Sequence, residues 1–300
     1  MIEKLRRQDI TALLIAGPTA SGKSALAIEL ARELGGEIVN ADSMQVYGVL
    51  EKLTARPGPA DLAQVPHHLY GHVTPQTAYS TGIWLSEASQ AIADIRARGA
   101  IPVVVGGTGL YFRALTGGLS DMPPIPTDIR DSLRARLESE GIKVLHRELA
   151  RLDPEMAVRL RPADRQRIFR ALEVVLATGR SIAEFQGRGS PMVVDPATAR
   201  RLVLEPDRGL LHARINARFE KMLDEGAVDE VRQLILLDIP PQHPAMKAIG
   251  VNHLAAYLRG EMSLEKVIEL SSAATRQYAK RQMTWFRNQF DSGWEKIYPE

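Results

Sequence analysis

The stretch Gly17–Ser24, with the sequence GPTASGKS, places two glycines, a lysine and a hydroxyl at the spacing of a phosphate-binding loop. In the pattern G-x-x-x-x-G-K-[ST], glycines let backbone N–H groups line a concave loop, and the following helix adds partial positive charge. The lysine can reach terminal phosphates and the last hydroxyl can bind Mg²⁺. The predicted phosphate site comprises Gly17, Pro18, Thr19, Ala20, Ser21, Gly22, Lys23 and Ser24. The motif indicates a phosphate chain without identifying the molecule that carries it.

Asp42 and Thr108 follow two other predicted strands and are candidates for chemistry on a bound phosphate ester. Asp42 follows the strand at 37–40, where it could act as a general base or only cap a helix. Thr108 stands in a GGTG turn after the strand at 101–105, where a nucleotide hydrolase usually carries a carboxylate that binds Mg²⁺. The sequence has no acidic residue there, which argues against ATP hydrolysis, although GGTG alone could be a plain tight turn.

Two basic segments could contact RNA, or could be solvated faces of packed helices. Residues 159–170 contain five arginines and one aspartate. In a helix that starts at Asp164, Gln166 and Arg170 share a face, and arginine beside glutamine suits contacts to phosphates and base edges. Residues 275–287 carry four basic and three aromatic side chains and no acid. We expect these aromatic rings to point inward and the basic groups outward.

Composition and charge exclude several classes of protein. The 300-residue chain has a formal net charge of +2, so a nucleic-acid partner would have to meet a local basic patch. The sequence contains no cysteine, which removes thiolate chemistry and fits a cytosolic protein. No apolar run approaches the ~20 residues of a membrane helix, and the N-terminal segment leads into a strand instead of a signal peptide. His67 and His68 lack partners at metal-ligand spacing, so no transition-metal site is expected.

Short apolar runs at 12–16, 37–40 and 101–105 alternate with helical patterns, which predicts a parallel α/β sheet of the P-loop NTPase type. Ligands of such sheets bind at the carboxyl ends of the strands, where the three candidate loops fall. From Thr127 only helical spacing is found, until a strand at 201–204 returns to the sheet. We therefore predict a parallel-sheet core flanked by helices, made from residues 1–122 and 192–300, and an all-helical insertion domain from 123–191.

These segments resemble the motifs of the tRNA dimethylallyltransferase family, also called tRNA isopentenyltransferases. The resemblance runs almost end to end, and six motifs in the family's order are far more specific than one. The matching segments are Gly17–Ser24 (GPTASGKS), Ala41–Tyr47 (ADSMQVY), Pro66–Leu69 (PHHL), Val105–Tyr111 (VGGTGLY), Asp164–Val174 (DRQRIFRALEV) and Thr275–Arg287 (TRQYAKRQMTWFR).

The resemblance implies transfer of a dimethylallyl group from dimethylallyl diphosphate to N6 of adenosine 37 in tRNA, with Mg²⁺ as cofactor. The phosphate loop would then hold an isoprenoid diphosphate, which agrees with the missing carboxylate after the third strand. The helical insertion would grip the anticodon stem-loop, and the target base would leave its stack to react. The implied enzyme is a cytoplasmic transferase without a membrane partner, and nothing in the sequence demands more than a monomer.

The family's roles can be carried over by position. Asp42 is the implied base for the N6 proton, and Thr108 is implied to lie near the reacting centre. The implied diphosphate ligands, together with Mg²⁺, are Thr19, Lys23, Ser24 and Arg218. Arg214 is an alternative to Arg218. The implied tRNA contacts are Asp42, Ser43, Met44, Gln45, Thr108, Arg130, Gln166, Arg167, Ile168, Phe169 and Arg170.

Three positions depart from the family's pattern. After Tyr47 the family usually carries a glycine-threonine-alanine-lysine-proline run, whereas this chain has Leu53 for the glycine and Arg56 for the lysine. A Gly-Tyr pair near the C-terminus is Gly250-Val251 here. These changes concern fine contacts and leave the class of enzyme unaltered.

Three other functions remain open on the sequence. An adenylate isopentenyltransferase would use a free nucleotide and would not need an arginine-rich insertion. A small-molecule kinase with the same loop would need ATP, which the glycine turn after the third strand argues against. A non-catalytic RNA-binding module would have no turnover to lose when Asp42 is replaced.

Overall fold

The computed structural model describes residues 10–120, 122–186 and 191–299. They fall into two compact units, one within Met1–Thr116 and Met192–Glu300 and the other within Gly117–Pro191. The second unit thus begins at Gly117, whereas the insertion domain was predicted to begin at residue 123. Residues 187–190 of the predicted insertion lie outside the described part of the chain.

A six-stranded sheet organises the first unit, and all its strand pairs are parallel. The strands are β1 (Ala12–Ala16), β2 (Gly36–Asn40), β3 (His67–His68), β4 (Ile101–Gly106), β5 (Ala199–Leu204) and β6 (Glu295–Ile297). This confirms the predicted parallel α/β sheet. Strands β3 and β6 were not predicted, because the first has only two residues and the second, EKI, lacks an apolar run.

The helices follow in chain order. They are α1 (Lys23–Leu34), α2 (Pro59–Leu62), α3 (Thr81–Ala97), α4 (Gly109–Leu115), α5 (Thr127–Ser139), α6 (Ile142–Leu152), α7 (Pro154–Arg159), α8 (Arg165–Thr178), α9 (Ile182–Phe185), α10 (Arg208–Asp224), α11 (Ala227–Leu236), α12 (Val251–Leu258) and α13 (Leu264–Gln289). Helices α5 to α9 belong to the second unit. None of the helices in the described ranges is long and apolar enough to cross a membrane.

The strand order β3-β2-β4-β1-β5-β6 places β2, β4 and β1 side by side. Ala16 at the end of β1 is paired with Gly106 at the end of β4, and Asn40 at the end of β2 is paired with Val105. Because parallel strands end at one edge of a sheet, the phosphate loop, Asp42 and the GGTG turn come together there.

Helix α13 spans 26 residues and carries the basic and aromatic segment in its second half. Phe286 is buried and Trp285 is half-buried, whereas Lys280, Arg281 and Arg287 are exposed. The expectation of inward rings and outward basic groups is confirmed for these residues, and the aromatic side of α13 packs into the core of the first unit.

The second unit has an apolar core of its own, to which α5, α6, α7 and α8 contribute. Ile168, Leu172 and Val175 of α8 are buried in it, as their shared helical face predicted. Asp164 caps α8 by accepting a hydrogen bond from the Arg167 N–H at 3.2 Å. The cap and the buried face together fix which side of α8 remains exposed.

Candidate active site

The phosphate loop runs from the end of β1 to α1 and contains two residues in the left-handed region. Ala20 has φ of 62° and Gly22 has φ of 86°. Residues other than glycine seldom adopt this conformation, so the surrounding contacts must hold Ala20 in place. Gly22 turns the chain directly into α1, whose first N–H groups have no partners within the helix and can meet an anion. Ser24 is exposed in this first turn.

The Lys23 ammonium is withdrawn from water at the start of α1. Its Nζ donates a hydrogen bond to the carbonyl oxygen of Pro18 at 3.2 Å. Burial lowers the pKa of Lys23 to about 8, while the negative charge of Asp42 raises it and the positive charge of Arg218 lowers it further. An anion that entered the site would stabilise the protonated form of this lysine.

Arg218 extends from α10 to the phosphate loop, where its Nη1 donates to Oγ1 of Thr19 at 3.4 Å. Burial lowers the pKa of the guanidinium, and Asp42 opposes that effect. Arg218 lines a cavity with Asp42 and also a neighbouring cavity of about 560 Å³ beside Ala20, whereas Arg214 lines only the second. The geometry therefore favours Arg218 over Arg214 as the residue that meets a ligand beside Asp42.

Asp42 is held in a turn beyond β2 by hydrogen bonds to its neighbours. Its Oδ1 accepts from the Met44 N–H at 2.9 Å, and its own N–H donates to Oδ1 of Asn40 at 2.8 Å. The buried Asn40 amide also donates to the carbonyl oxygen of Leu69. Within the described residues Oδ2 of Asp42 accepts no hydrogen bond, so one carboxylate oxygen caps the turn and the other can take a proton.

Thr108 connects the turn after β4 to the loop after β2. Its Oγ1 accepts from the Ser43 N–H at 3.0 Å, and its N–H donates to the carbonyl oxygen of Ala41 at 3.1 Å. Tyr278 of α13 lies beside Thr108. Burial raises the pKa of its phenol most, and the negative charge of Asp42 raises it further, while a hydrogen bond with Thr108 lowers it. Tyr278 is therefore a neutral hydroxyl at neutral pH.

The GGTG turn needs glycine because other parts of the chain approach it closely. A Cβ at Gly106 would lie 2.0 Å from the carbonyl oxygen of Ala41, and one at Gly109 would lie 2.1 Å from the Trp285 ring. No side chain fits in such a space. The turn is therefore a junction where the loop after β2 and helix α13 pack on the end of β4.

A cavity of about 270 Å³ lies among the phosphate loop, the loop after β2, α10 and α13. Thr19, Asp42 and Arg218 form a polar side of it, and Leu53 and Phe219 contribute to an apolar side. Pockets that combine a few convergent polar groups with apolar walls suit ligands of mixed character. This one suits a molecule with an anionic end and a hydrocarbon group.

Ser43 and Met44 line this cavity, but Gln45 does not. Both amide hydrogens of Gln45 are used by the chain, because its Nε2 lies 2.9 Å from the carbonyl oxygens of Thr54 and Ala55. The glutamine therefore anchors the loop that carries Leu53, and its proposed contact with tRNA is left to its carbonyl oxygen.

Two of the departures from the family's pattern have structural roles in the same loop. Leu53 packs against Gly250, where a Cβ would lie 2.9 Å from its Cδ1. Arg56 closes the loop by donating from Nη1 to the carbonyl oxygens of Tyr47 and Gly48 at 3.0 and 3.1 Å. Val251 is fully buried, so it serves the core.

The four polar tRNA contacts predicted in the second unit differ in exposure and in hydrogen bonding. Arg130 and Arg170 each donate to the buried carboxylate of Glu173, at 2.9 Å in both cases. Gln166 and Arg167 are exposed on the same helix, α8. These four side chains are accessible to a partner of the second unit.

Ile168 is fully buried in the core of the second unit, and Phe169 packs against that core. The prediction that both contact tRNA is therefore corrected for Ile168, whose side chain stabilises the unit. The error arose because the motif was carried over as a continuous run, whereas a helix turns successive residues to different faces.

Tyr278 and Gln282 are site residues that were not predicted from the sequence. Tyr278 lines the cavity, and Gln282 is buried between the phosphate loop and the GGTG turn. Their spacing of four residues, with Thr275 three residues earlier, already places them on one face of a helix. In the sequence the segment 275–287 was interpreted only as basic groups for RNA and aromatic rings for the core, so a role in the cavity was not considered.

Comparisons with known proteins show which family the chain resembles. A family model described as "IPP transferase" matches residues 45–289, and one described as "Isopentenyl transferase" matches residues 10–70. The tRNA dimethylallyltransferase of Rhizobium leguminosarum bv. trifolii is 62% identical over 96% of this chain and 97% of its own length. That of Rhizobium meliloti is 59% identical over 99% of this chain and 98% of its own length.

Two solved structures share the fold. The tRNA isopentenylpyrophosphate transferase of Bacillus halodurans aligns with a TM-score of 0.67 and 34% identity over 96% of this chain and 90% of its own. A eukaryotic dimethylallyltransferase described as acting on tRNA aligns with a TM-score of 0.81 and 30% identity over 96% of this chain and 73% of its own. The chain belongs to the tRNA dimethylallyltransferase family of isopentenyl transferases.

Proposed function

We propose that this transferase moves a dimethylallyl group from dimethylallyl diphosphate to N6 of adenosine 37 in tRNA, giving N6-(dimethylallyl)adenosine. The observation that carries the proposal is one cavity lined by a carboxylate, Asp42, and a half-buried guanidinium, Arg218, with apolar side chains completing its wall. The family to which the chain belongs supports it, since its relatives are named for this transfer to tRNA.

Asp42 is the proposed general base. In the transfer, the carbon–oxygen bond of the donor breaks and its electron pair leaves with the diphosphate, while the lone pair of N6 forms the new carbon–nitrogen bond. The amine then loses one proton, which Oδ2 of Asp42 accepts because Oδ1 is already bound by the Met44 N–H. An exocyclic adenine amine is a weak nucleophile, so placing it between this base and the donor carbon is a large part of catalysis.

Thr19, Lys23 and Arg218 are the proposed ligands of the departing diphosphate. Burial lowers the pKa of both cations, and a polyanion would reverse that effect. Preorganised positive charge in a water-poor site stabilises charge that develops on a leaving group. Thr108 holds the loop after β2 beside this centre through its hydrogen bonds with Ser43 and Ala41, and the Tyr278 phenol adjoins Thr108.

The chain's residues fit Mg²⁺ at the donor diphosphate. The described residues contain no group of three or more His, Asp or Glu side chains that could hold a metal, while the exposed Ser24 hydroxyl stands at the start of α1. Mg²⁺ commonly takes one or two protein oxygens and completes its shell with phosphate oxygens and water. When bound, it would neutralise part of the diphosphate charge, and Ser24 would be its proposed protein ligand.

The second unit is the proposed tRNA-binding domain. Exposed Arg167 and Gln166, together with Arg130 and Arg170, offer phosphate and base-edge contacts from α5 and α8. Ser43, Met44, the carbonyl oxygen of Gln45 and Thr108 remain proposed contacts near the target base, and Phe169 remains a proposed tRNA contact of the second unit. Since tRNA is the proposed acceptor and one chain carries every proposed residue, we propose a monomer that acts in the cytoplasm.

Transfer to unmodified tRNA tests the proposal directly. The protein is incubated with Mg²⁺, dimethylallyl diphosphate and a tRNA that carries adenosine 37, and the digested RNA is examined by mass for N6-(dimethylallyl)adenosine. AMP serves as a parallel acceptor and ATP as a parallel donor. Product in tRNA alone supports the proposal. Transfer to AMP would assign the protein to nucleotide modification, and consumption of ATP without prenyl transfer would make it a kinase.

A further inference from the structure

Gln282 of α13 bridges two loops of the active site. Its Oε1 accepts a hydrogen bond from the Thr19 N–H at 3.0 Å, and its Nε2 donates to the carbonyl oxygen of Gly107 at 3.0 Å. The side chain is 5% exposed, so water does not compete for either bond. A single amide thus connects the phosphate loop to the GGTG turn.

Gly107 is shaped to receive this amide. A Cβ at Gly107 would lie 2.1 Å from Nε2 of Gln282, so any other residue there would displace the amide from its present position. The bond to Thr19 acts next to Arg218, whose Nη1 donates to the Thr19 hydroxyl. The backbone and the side chain of one phosphate-loop residue are therefore both fixed from outside the loop.

We propose that Gln282 is a positioning residue that holds Thr19 of the phosphate loop, and with it Arg218, in the geometry that receives the donor diphosphate. This rests on the proposed function of the cavity. The bridge needs a side chain that accepts a hydrogen bond from Thr19 and donates one to Gly107. A side chain of the same size that lacks either group cannot replace the amide. Loss of the bridge should weaken donor binding more than tRNA binding.

Replacement of Gln282 by glutamate distinguishes a hydrogen-bonding role of this side chain from a role in packing alone. An ionised carboxylate can accept from the Thr19 N–H but cannot donate to Gly107, whereas a protonated carboxyl can do both. Burial raises the pKa of such a carboxyl. The ionisable groups that line the cavity are Tyr278 and Arg281 on the same helix, and Asp42, Arg218 and Lys247 on other elements. Lys23 lies nearby in the phosphate loop, and the Tyr278 phenol hydrogen-bonds to the side chain at position 282 in either protonation state. Asp42 favours protonation, and the cations oppose it.

The experiment measures kcat and KM for dimethylallyl diphosphate and for tRNA between pH 5.5 and 8.5, for wild type, Gln282→Met and Gln282→Glu. We expect Gln282→Met to raise the KM for the donor about tenfold, with the KM for tRNA within about threefold. The kcat/KM of Gln282→Glu relative to wild type should rise as pH falls, while that of Gln282→Met stays flat. Gln289→Met and Gln289→Glu, at an exposed glutamine of the same helix, are matched controls.

Donor kinetics of Gln282→Met within twofold of wild type, or parallel pH profiles for the two Gln282 variants, would overturn the proposal. If Gln282→Met does not fold, judged by thermal unfolding, the pH profile of Gln282→Glu decides alone. Calorimetry with pyrophosphate gives a second readout that needs no transfer. A wild type that binds pyrophosphate but transfers nothing would end the proposed function, while the same binding measurement on the variants would still decide the role of Gln282.

Discussion

The cations of the helical unit and those of the phosphate site differ in how their charge is balanced. In the helical unit, Arg130 and Arg170 share the buried carboxylate of Glu173 while 38% and 36% of their side chains remain exposed. In the phosphate site, Lys23 and Arg218 form no ion pair within the described residues, and burial lowers the pKa of both. The two arginines are partly balanced by one shared carboxylate, whereas Lys23 and Arg218 have no carboxylate of the described chain within ion-pair distance.

The difference indicates what each site can gain from an anion. A buried cation without a partner is destabilised in the free protein, so a diphosphate that enters restores a large interaction. An exposed arginine that already has a carboxylate gains little from a phosphate, because water and salt screen the new contact. We therefore expect large, specific effects from substitutions at the phosphate site and small, salt-dependent ones at the helical unit.

The largest effect is expected for Asp42→Asn. Asparagine keeps an oxygen for the Met44 N–H but cannot accept the N6 proton, so kcat should fall by about 10²- to 10⁴-fold. The affinity for tRNA, measured by filter binding, should change less than about threefold. A variant that retained full turnover would remove Asp42 as the base, and one that lost tRNA affinity instead would make it a binding residue.

Lys23→Ala should have the next largest effect. Removal of one half-buried cation from a leaving-group site should lower kcat/KM for dimethylallyl diphosphate by about 10²- to 10³-fold. Lys221→Ala, at an exposed lysine of α10 that pairs with Glu225, is the matched control and should leave the kinetics unchanged. Steady-state rates at varied donor concentration measure both. Unaltered saturation by the donor in Lys23→Ala would mean that the loop holds another part of the substrate.

The depressed pKa of Lys23 also predicts proton uptake when an anion binds. In the free protein the pKa is about 8, and a bound diphosphate raises it, so the lysine takes up a proton on binding at pH 8 to 9 and little at pH 6. Calorimetry of pyrophosphate binding in buffers of different ionisation enthalpy should give an uptake of about half a proton near pH 8. Arginine stays charged between pH 6 and 9, so Lys23→Arg should take up about half a proton less than wild type near pH 8. Equal uptake in both proteins would place the titrating group elsewhere.

The fold and the principal site residues follow from local patterns. The phosphate loop, Asp42 and Thr108 each stand directly after a predicted strand, and the parallel sheet then brings them to one edge. Gln282 could not be found this way, because its role depends on α13 packing on a turn about 175 residues earlier in the chain. Its partner Gly107 was visible only as a glycine in a turn.

Contacts between residues that are distant in the sequence also explain which predictions failed in the helical unit. The periodicity of α8 correctly indicated that Ile168 and Leu172 would be buried, yet the motif carried Ile168 into the set of tRNA contacts. Glu173 was missed as the common partner of Arg130 and Arg170, since the pairing joins positions 43 residues apart. Patterns along the chain indicate which side chains are charged, and only the packing shows which charges are already paired.

The smallest effects are expected for the arginines of α8, and they test the comparison most sharply. Arg167 is 76% exposed and lies 3.6 Å from Asp164, so it should release about one counterion when it meets a tRNA phosphate. Arg167→Ala should then reduce the slope of log affinity against log salt by about 0.7 to 0.9. Arg170→Ala should reduce it less, because the buried Glu173 carboxylate binds Arg170 at 2.9 Å, closer than Asp164 binds Arg167. Arg134→Ala, at an exposed arginine of α5 paired with Asp131, is the control. Equal slopes for Arg167→Ala and Arg170→Ala would show that a tRNA phosphate displaces Glu173 from Arg170. The difference in charge balance between the helical unit and the phosphate site would then hold only in the absence of tRNA.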